Sequence, residues 1–143
     1  MVEQVFWDDV EVGQEIPRLI KQATPRQLVK WAAASGDYYE VHYNQDFAIK
    51  AGLPGILVHG GRTLSFLAQM LTDWVGEHGE VKIVAANYRR MNFPGEDIIC
   101  RGKVVAKQVR QGERQVELDI WAERANGERT TPGKAVVVLP ARA

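Results

Sequence analysis

Two side chains that can move protons lie close together in the first third of the chain. Asp37 and His42 are five residues apart in the segment SGDYYEVHYN, which combines turn-forming and aromatic residues and has no apolar periodicity. A carboxylate and an imidazole brought together by one loop can share a water molecule, because one group can deprotonate it while the other supplies a second proton. The pair therefore suits acid–base chemistry such as the addition of water to a double bond.

A His-Gly-Gly sequence opens a long apolar segment further along the chain. At a helix N-terminus, Gly60 and Gly61 would leave backbone amides free where the helix dipole favours negative charge. Such amides can polarise a carbonyl oxygen and stabilise an enolate. His59 is expected to orient this turn rather than to transfer protons. Together with Asp37 and His42, this pattern predicts an enzyme.

Each of these residues also has a purely structural explanation. Asp37 can form a turn after Gly36, and His42 can be a packed loop histidine. Glycines at a helix start can serve only to allow close packing against a sheet. The pairing of Asp37 with His42 is what favours chemistry. Three histidines scattered along the chain are weak evidence for a metal, so no metal site is predicted.

Composition and missing motifs exclude several functional classes. With 18 basic and 18 acidic residues, the chain has no net charge to attract nucleic acid or an anionic membrane. The phosphate-binding loop and the Gly-x-Ser-x-Gly elbow are both absent, which argues against nucleotide and serine hydrolysis. The apolar runs are too short to cross a bilayer and the first residues do not resemble a signal peptide, so a cytoplasmic protein is expected. Cys100 is the only cysteine, which excludes an internal disulfide.

Local start and stop signals predict three helices around the candidate residues. Thr24-Pro25-Arg26-Gln27 combines a cap, a first-turn proline and a capping-box glutamine, and the helix should end near Ser35-Gly36. This places Asp37 just beyond a helix end. A second, short helix is predicted from Gln45 to Ala51. The long apolar segment 61–76 predicts a buried helix, since its apolar residues cover much of the circumference.

The remaining segments predict strands. A first strand is expected at 16–23, and after the long helix the runs 81–93, 98–107, 116–122 and 135–139 are strand-like, with a hairpin at Asn126-Gly127. This order predicts an α+β fold in one domain spanning residues 1–143, with a meander of four antiparallel strands packed on one long helix. Such a sheet has an exposed edge, which pairing with another subunit would protect.

The run SGDYYEVHYNQDFA, followed by AGLPGILVHGGRTLS, resembles the hydratase motif of the MaoC-like enoyl-CoA hydratases and dehydratases. The resemblance implies a hot-dog fold, in which an antiparallel sheet wraps around one long central helix. It also implies that Asp37 and His42 form the catalytic dyad and that the Gly60 amide binds the thioester oxygen. Ser65 matches a polar position of the helix that supports the site in some members.

The motif departs from the family pattern between the two members of the dyad. Tyr39 and Glu40 replace the usual Asn-Pro, so the loop loses a stiffening proline and gains an aromatic ring near the site. Tyr39 is therefore expected to contact the substrate, and the expected oxyanion and substrate-binding residues are Gly60, Ser65, Tyr39 and His59.

The function implied by this resemblance is the reversible hydration of a trans-2-enoyl thioester to a 3-hydroxyacyl thioester, with the R isomer expected. In the dehydration direction, His42 would remove the proton from the carbon next to the carbonyl and Asp37 would help to expel water, or the two residues would exchange these roles. No metal or redox cofactor is required, and coenzyme A is expected as the carrier of the acyl substrate. The protein would act as a homodimer or as a heteromer with a second hot-dog subunit. Two alternatives remain open, an acyl-CoA thioesterase and an acyl-binding subunit of a heteromeric dehydratase.

Overall fold

The computed structural model describes residues 3–143, which form one five-stranded sheet and three α-helices. In chain order the elements are β1 (Leu19–Lys21), α1 (Pro25–Ser35), α2 (Gln45–Lys50), α3 (Gly60–Val75), β2 (Glu80–Ala86), β3 (Ile98–Arg110), β4 (Glu113–Glu123) and β5 (Arg129–Val138). Two single-turn 3-10 helices lie at Trp7–Asp9 and Glu40–His42. None of the helices in residues 3–143 combines the length and the hydropathy that a bilayer crossing requires.

The helices around the candidate residues begin and end where their caps predict. The Thr24 side chain accepts the Gln27 amide hydrogen and the Gln27 side chain accepts that of Thr24, which completes the capping box. Gly36 closes α1 with φ of 75°, a left-handed conformation that glycine adopts without strain. The Asn44 side chain caps α2 by accepting the Phe47 amide hydrogen.

The sheet is antiparallel throughout and has the order β1-β3-β4-β5-β2. Its inner face packs against α3, and the core joins two sets of buried side chains. From the helix come Phe66, Leu67, Leu71 and Val75, and from the sheet Ile98, Cys100, Val104, Val116, Leu118, Ile120, Ala122, Ala135 and Val137. A curled antiparallel sheet around one central helix confirms the expected α+β, hot-dog fold.

The structure corrects the predicted strands in order and in bounds, since β1 spans only Leu19–Lys21 of the expected 16–23 and β5 begins at Arg129 instead of residue 135. Only β3, β4 and β5 form a meander, since β2 pairs with β5 at the opposite edge from β1. The run 81–93 was also too long, because β2 ends at Ala86, which lies opposite Gly133. The next residue of β5 is Pro132, which has no amide hydrogen to donate and so cannot continue the ladder on that side. Beyond Ala86 the amides of Asn87, Arg89 and Arg90 still donate to the carbonyls of Pro132 and Thr130, and this segment brings Tyr88 close to Gly60 at the N-terminus of α3.

Candidate active site

Asp37 and His42 face each other at the end of α1. The carboxylate Oδ2 of Asp37 lies 3.8 Å from Nε2 of His42. The other carboxylate oxygen, Oδ1, accepts the backbone amide hydrogen of Tyr39 at 3.3 Å, which turns Oδ2 toward the imidazole. The Asp37 side chain is 52% exposed and that of His42 only 12%, so the pair lies at a boundary between solvent and core.

The backbone holds the His42 ring in one tautomer. Its Nδ1 lies 2.9 Å from the carbonyl oxygen of Leu57, and a carbonyl can only accept a hydrogen bond. The neutral ring therefore carries its hydrogen on Nδ1 and presents the Nε2 lone pair to Asp37. The Leu57 amide in turn donates to the Val41 carbonyl at 2.9 Å. Both the amide and the carbonyl of Leu57 therefore bond to the 3-10 turn, which holds this turn against the segment before α3.

His59 lies directly beneath this pair. Its ring stacks on that of His42, with centroids 3.8 Å apart and planes inclined by 20°. Its Nε2 donates to the backbone carbonyl of Asp37 at 3.2 Å, and its Nδ1 is buried without a hydrogen-bond partner among residues 3–143. Burial, followed by the charge of a protonated His42, lowers the pKa of His59 below the ordinary histidine value. His59 is therefore a neutral support for the loop that carries Asp37.

The N-terminus of α3 presents free amides beside His42. No side chain caps this helix, and neither Gly60 nor Gly61 donates a backbone hydrogen bond within residues 3–143. A side chain at position 60 would meet the Tyr88 ring, since a Cβ there would lie 2.8 Å from it. Glycine at this position thus allows Tyr88 to pack against the helix start.

A cavity of about 250 Å³ lies beside His42 and Gly60, whereas Asp37 and His59 are not among its lining residues. Its lining includes His42, Gly60, Thr63, Tyr88 and Asn92. A larger cavity of about 830 Å³ shares Arg89, Arg90 and Met91 with it and extends past Gln45 and Pro54 to Arg124. The candidate residue His42 and the Gly60 amide therefore lie at a cavity that adjoins the larger one through Arg89, Arg90 and Met91.

The other predicted site residues differ in their placement. Tyr39 packs edge-on against the His42 ring, with centroids 6.2 Å apart, and is 59% exposed. Ser65 is not brought to the cavity, since its hydroxyl donates to the Arg62 carbonyl one turn earlier in α3. Its proposed role in the site stays a prediction.

Sequence patterns missed two buried polar residues of the cavity, Thr63 and Asn92. Thr63 is three residues after Gly60, a helical spacing that places both on one face and that could have identified it. Asn92 had no local signal, because a single asparagine two residues before the Pro94-Gly95 turn indicates only part of that turn.

Asp37, His42 and His59 could together bind a metal ion by distance alone, since one ligand atom from each lies within 4.8 Å of the other two. The ring geometry does not favour it. The lone pairs of two stacked rings lie in nearly parallel planes 3.8 Å apart at the centroids, so one ion cannot lie in the plane of both rings. The ring nitrogens bonded to the carbonyls of Leu57 and Asp37 are also already engaged. The arrangement suits proton transfer better than coordination.

Comparison with known proteins identifies similar sequences and structures. A family model described as a MaoC like domain matches residues 9–125. The chain is 36% identical over 94 residues to the peroxisomal enoyl-CoA hydratase 2 of Arabidopsis thaliana, a match that covers 63% of this chain but only 30% of that protein. It is 27% identical over 92 residues to the 3-oxo-4,17-pregnadiene-20-carboxyl-CoA hydratase beta subunit of Mycobacterium tuberculosis, covering 59% of this chain and 71% of the relative.

A solved structure extends the similarity to nearly the whole chain. The (R)-hydratase from A. caviae involved in PHA biosynthesis superposes with a TM-score of 0.82 at 25% identity. The superposition covers 92% of this chain and 98% of that one.

Proposed function

This chain belongs to the MaoC-like dehydratase-domain family, and from that premise we propose that it catalyses the reversible hydration of a trans-2-enoyl thioester to a 3-hydroxyacyl thioester. The observation that carries the proposal is the position of Asp37 and His42, 3.8 Å apart, beside the uncapped N-terminus of α3. The similarity to an (R)-hydratase supports the R isomer as the product.

The 3.8 Å separation between Asp37 Oδ2 and His42 Nε2 fits a bound water. It is longer than a direct hydrogen bond of about 2.7–3.2 Å, yet one water oxygen can lie within hydrogen-bond distance of both atoms. A carboxylate and an imidazole placed in this way can hold the attacking water and exchange its protons.

In the hydration direction, the Asp37 carboxylate removes a proton from the water as its oxygen bonds to C3 of the enoyl group. The electron pair of the double bond passes to the thioester oxygen, and C2 then takes a proton from protonated His42 Nε2. A proton returns from Asp37 to His42 to complete the cycle, so that one water is consumed and no charge is gained. The same geometry also allows the two roles to be exchanged.

The thioester oxygen carries negative charge while C2 awaits its proton. The Gly60 amide, at the positive end of the α3 dipole, is placed to stabilise that charge. Such stabilisation is most effective where water is excluded, and the cavity floor beside Gly60 is lined by the buried side chains of Thr63 and Asn92.

The carrier of the acyl group is proposed to be coenzyme A. The larger cavity leads away from the reacting groups and is lined by Arg89 and Arg90, neither of which forms a salt bridge within residues 3–143. Unpaired guanidinium groups at this position suit the phosphates of a coenzyme A carrier.

The assembly is proposed to contain a second hot-dog subunit, either another copy of this chain or a different one. The edge strand β2 exposes Ile83, which is 54% accessible, and a partner strand would cover it. The relative from Mycobacterium tuberculosis is itself a beta subunit, which favours the heteromer as the second candidate and leaves an acyl-binding subunit as the alternative function.

Hydration is tested by the loss of the conjugated enoyl-thioester absorbance with a series of trans-2-enoyl-CoA substrates, while free thiol is measured in parallel. We expect hydration without thiol release, and a fall in kcat of about 100-fold or more in Asp37→Asn and His42→Gln, the range that general acid–base catalysis contributes. The thermal midpoint serves as the folding control. Thiol release without hydration would identify a thioesterase, and unchanged hydration in both variants would refute the dyad. Substrate binding without turnover, with activity appearing only on addition of a partner subunit, would identify an acyl-binding subunit.

A further inference from the structure

Thr63 lies one turn into α3 and on the same face as Gly60. It is 1% exposed and lines the cavity that also contains Gly60 and His42. Side chains in a helix tilt toward its N-terminus, so the Thr63 side chain leans back toward the level of the Gly60 amide. The Thr63 hydroxyl is therefore directed toward the region where the thioester oxygen is proposed to bind.

Asn92 determines which way the Thr63 hydroxyl can donate. Its Nδ2 donates to Thr63 Oγ1 at 3.3 Å, and this bond occupies a lone pair of the hydroxyl. The hydroxyl makes no other hydrogen bond within residues 3–143, so its hydrogen stays free to be donated. The Val58 backbone amide donates to the backbone carbonyl of Asn92 at 2.9 Å, which holds Asn92 against the segment that leads into α3.

The burial of Asn92 is not explained by packing. The residue is only 5% exposed, and its Oδ1 is buried without a hydrogen-bond partner among residues 3–143. A leucine could fill the same position without burying an unpaired carbonyl. The amide hydrogen bond to Thr63 is the one polar contact that its side chain makes in the described structure.

We propose that the Thr63 hydroxyl is a second hydrogen-bond donor to the thioester oxygen and that Asn92 is the positioning residue that orients it. This inference rests on the proposed function, because it assigns Thr63 to the oxygen that the Gly60 amide also binds. When C2 loses its proton, the charge on that oxygen is shared between two donors fixed in advance by the helix and by the buried amide. Thr63 lies within the run AGLPGILVHGGRTLS but at none of the positions to which that resemblance gives a role, and Asn92 lies outside the run.

The test measures polarisation of the thioester carbonyl directly as well as turnover. The probe is 4-dimethylaminocinnamoyl-CoA, whose absorption moves to longer wavelength when its carbonyl is polarised. The variants are Thr63→Val, which replaces the hydroxyl by a methyl group, Thr63→Ser, which keeps it, and Asn92→Leu. The matched control is Thr130→Val, since Thr130 is also fully buried but does not line the cavity, and its hydroxyl is bonded to the Ala122 carbonyl and the Thr131 hydroxyl.

We expect the shift of the bound probe to be reduced in Thr63→Val and Asn92→Leu and to be kept in Thr63→Ser and Thr130→Val. The value of kcat for a short enoyl-CoA should fall about 100-fold in Thr63→Val and about tenfold in Asn92→Leu, with KM changed less than threefold, since removal of one oxyanion donor typically costs 10²–10³ in kcat. The double variant should be no slower than Thr63→Val alone, because Asn92 acts through Thr63.

The outcomes separate this inference from the function on which it rests. An unchanged shift in Thr63→Val overturns the donor role even if hydration is observed, and an equal loss in Thr130→Val attributes the effect to packing and also overturns it. If the probe shift follows the expected pattern but no enoyl-CoA is hydrated, the proposed function fails while the donor pair stands. Failure of the wild type to bind the probe overturns both.

Discussion

The imidazole rings of His42 and His59 are stacked, with centroids 3.8 Å apart, and they serve different purposes. Two protonated rings at this distance would repel each other, so the pair accommodates one positive charge. His42 lies next to the Asp37 carboxylate, whereas His59 is 1% exposed and bonded to a backbone carbonyl. His59 is therefore the neutral ring of the stack, and His42 is the ring that faces the carboxylate, as the proposed proton transfer requires.

The neutral state of His59 predicts a pH-dependent stability. Burial lowers the pKa of His59 in the folded protein below the ordinary value of 6.5. At a pH between the folded-state pKa and 6.5, the unfolded chain therefore binds more protons than the folded protein. The stability associated with neutral His59 is thus fully present above pH 6.5 and is lost as the pH falls below it. We expect the urea midpoint of unfolding at pH 7.5 to be higher for the wild type than for His59→Gln. The difference between the two midpoints should be smaller at pH 5.5.

The control for this titration is His78→Gln, because His78 is exposed in the folded protein. Its urea midpoint should differ from that of wild type by the same amount at both pH values. A difference between wild type and His59→Gln that does not change with pH would contradict the assignment of His59 as a neutral buried support.

The close approach of Tyr88 to Gly60 predicts an effect of adding a single methyl group. A Cβ at position 60 would lie 2.8 Å from the Tyr88 ring, whereas one at position 61 would lie 3.3 Å from Trp31. We expect Gly60→Ala to displace the ring and lower kcat/KM by about tenfold to 100-fold, because a misplacement of about 1 Å near a reacting centre can cost about 100-fold. Gly61→Ala should stay within about twofold. Steady-state hydration kinetics measure both.

The double variant Gly60→Ala/Tyr88→Ala identifies the cause of that loss. Removal of the ring relieves the contact, so the double variant should be more active than Gly60→Ala. If the second substitution restores nothing, the methyl group itself blocks the amide and displacement of Tyr88 is not the reason.

Helices and their caps were predictable here because their signals are local. The capping box of Thr24 and Gln27, the left-handed Gly36 and the Asn44 cap each involve residues within one turn of one another. These caps set the ends of α1 and α2, and with them the segment that holds Asp37 and His42. The expected positions of the dyad residues could therefore be inferred without knowledge of the sheet.

Contacts between distant segments were not predictable. The placement of β2 beside β5 depends on pairing across about 50 residues, and no local pattern distinguishes it from pairing with β3. Two contacts of the site were unpredictable for the same reason. The stacking of His59 on His42 joins residues 17 apart in the chain, and the hydrogen bond from Asn92 to Thr63 joins residues 29 apart. The catalytic candidates were thus visible in the sequence, but the residues that support them required the fold.

The single cysteine is predicted to be chemically inert in the folded protein. Cys100 is fully buried in β3, and burial raises the pKa of its thiol from 9.0 to about 12. We expect no reaction with a disulfide reagent at pH 8 in native buffer and one equivalent of reaction in urea above the unfolding midpoint. Rapid labelling of the native protein would show that β3 opens locally, and activity before and after incubation with the reagent provides the control.

Tyr39 is predicted to affect substrate binding more than chemistry. Its ring packs edge-on against His42 and Phe47 at centroid distances of 6.2 Å and 6.0 Å, while 59% of the residue stays exposed at the rim of the site. The His42 ring is oriented independently by the Leu57 carbonyl, so loss of the Tyr39 ring should leave kcat nearly unchanged. We expect Tyr39→Ala to raise KM for a medium-chain enoyl-CoA about tenfold, as removal of an apolar contact in a binding site typically does. Tyr39→Phe should match wild type, since the Tyr39 hydroxyl makes no hydrogen bond within residues 3–143.

The matched control for Tyr39 is its neighbour Tyr38, which is also 59% exposed but makes no ring contact with His42. Tyr38→Ala should leave both kinetic constants within about twofold, because its ring does not face the dyad. A tenfold rise in KM that is equal in both alanine variants would mean that general loosening of the loop, and not the Tyr39 ring, controls binding. A fall in kcat of Tyr39→Ala at constant KM would instead place this ring among the groups that position His42 for proton transfer.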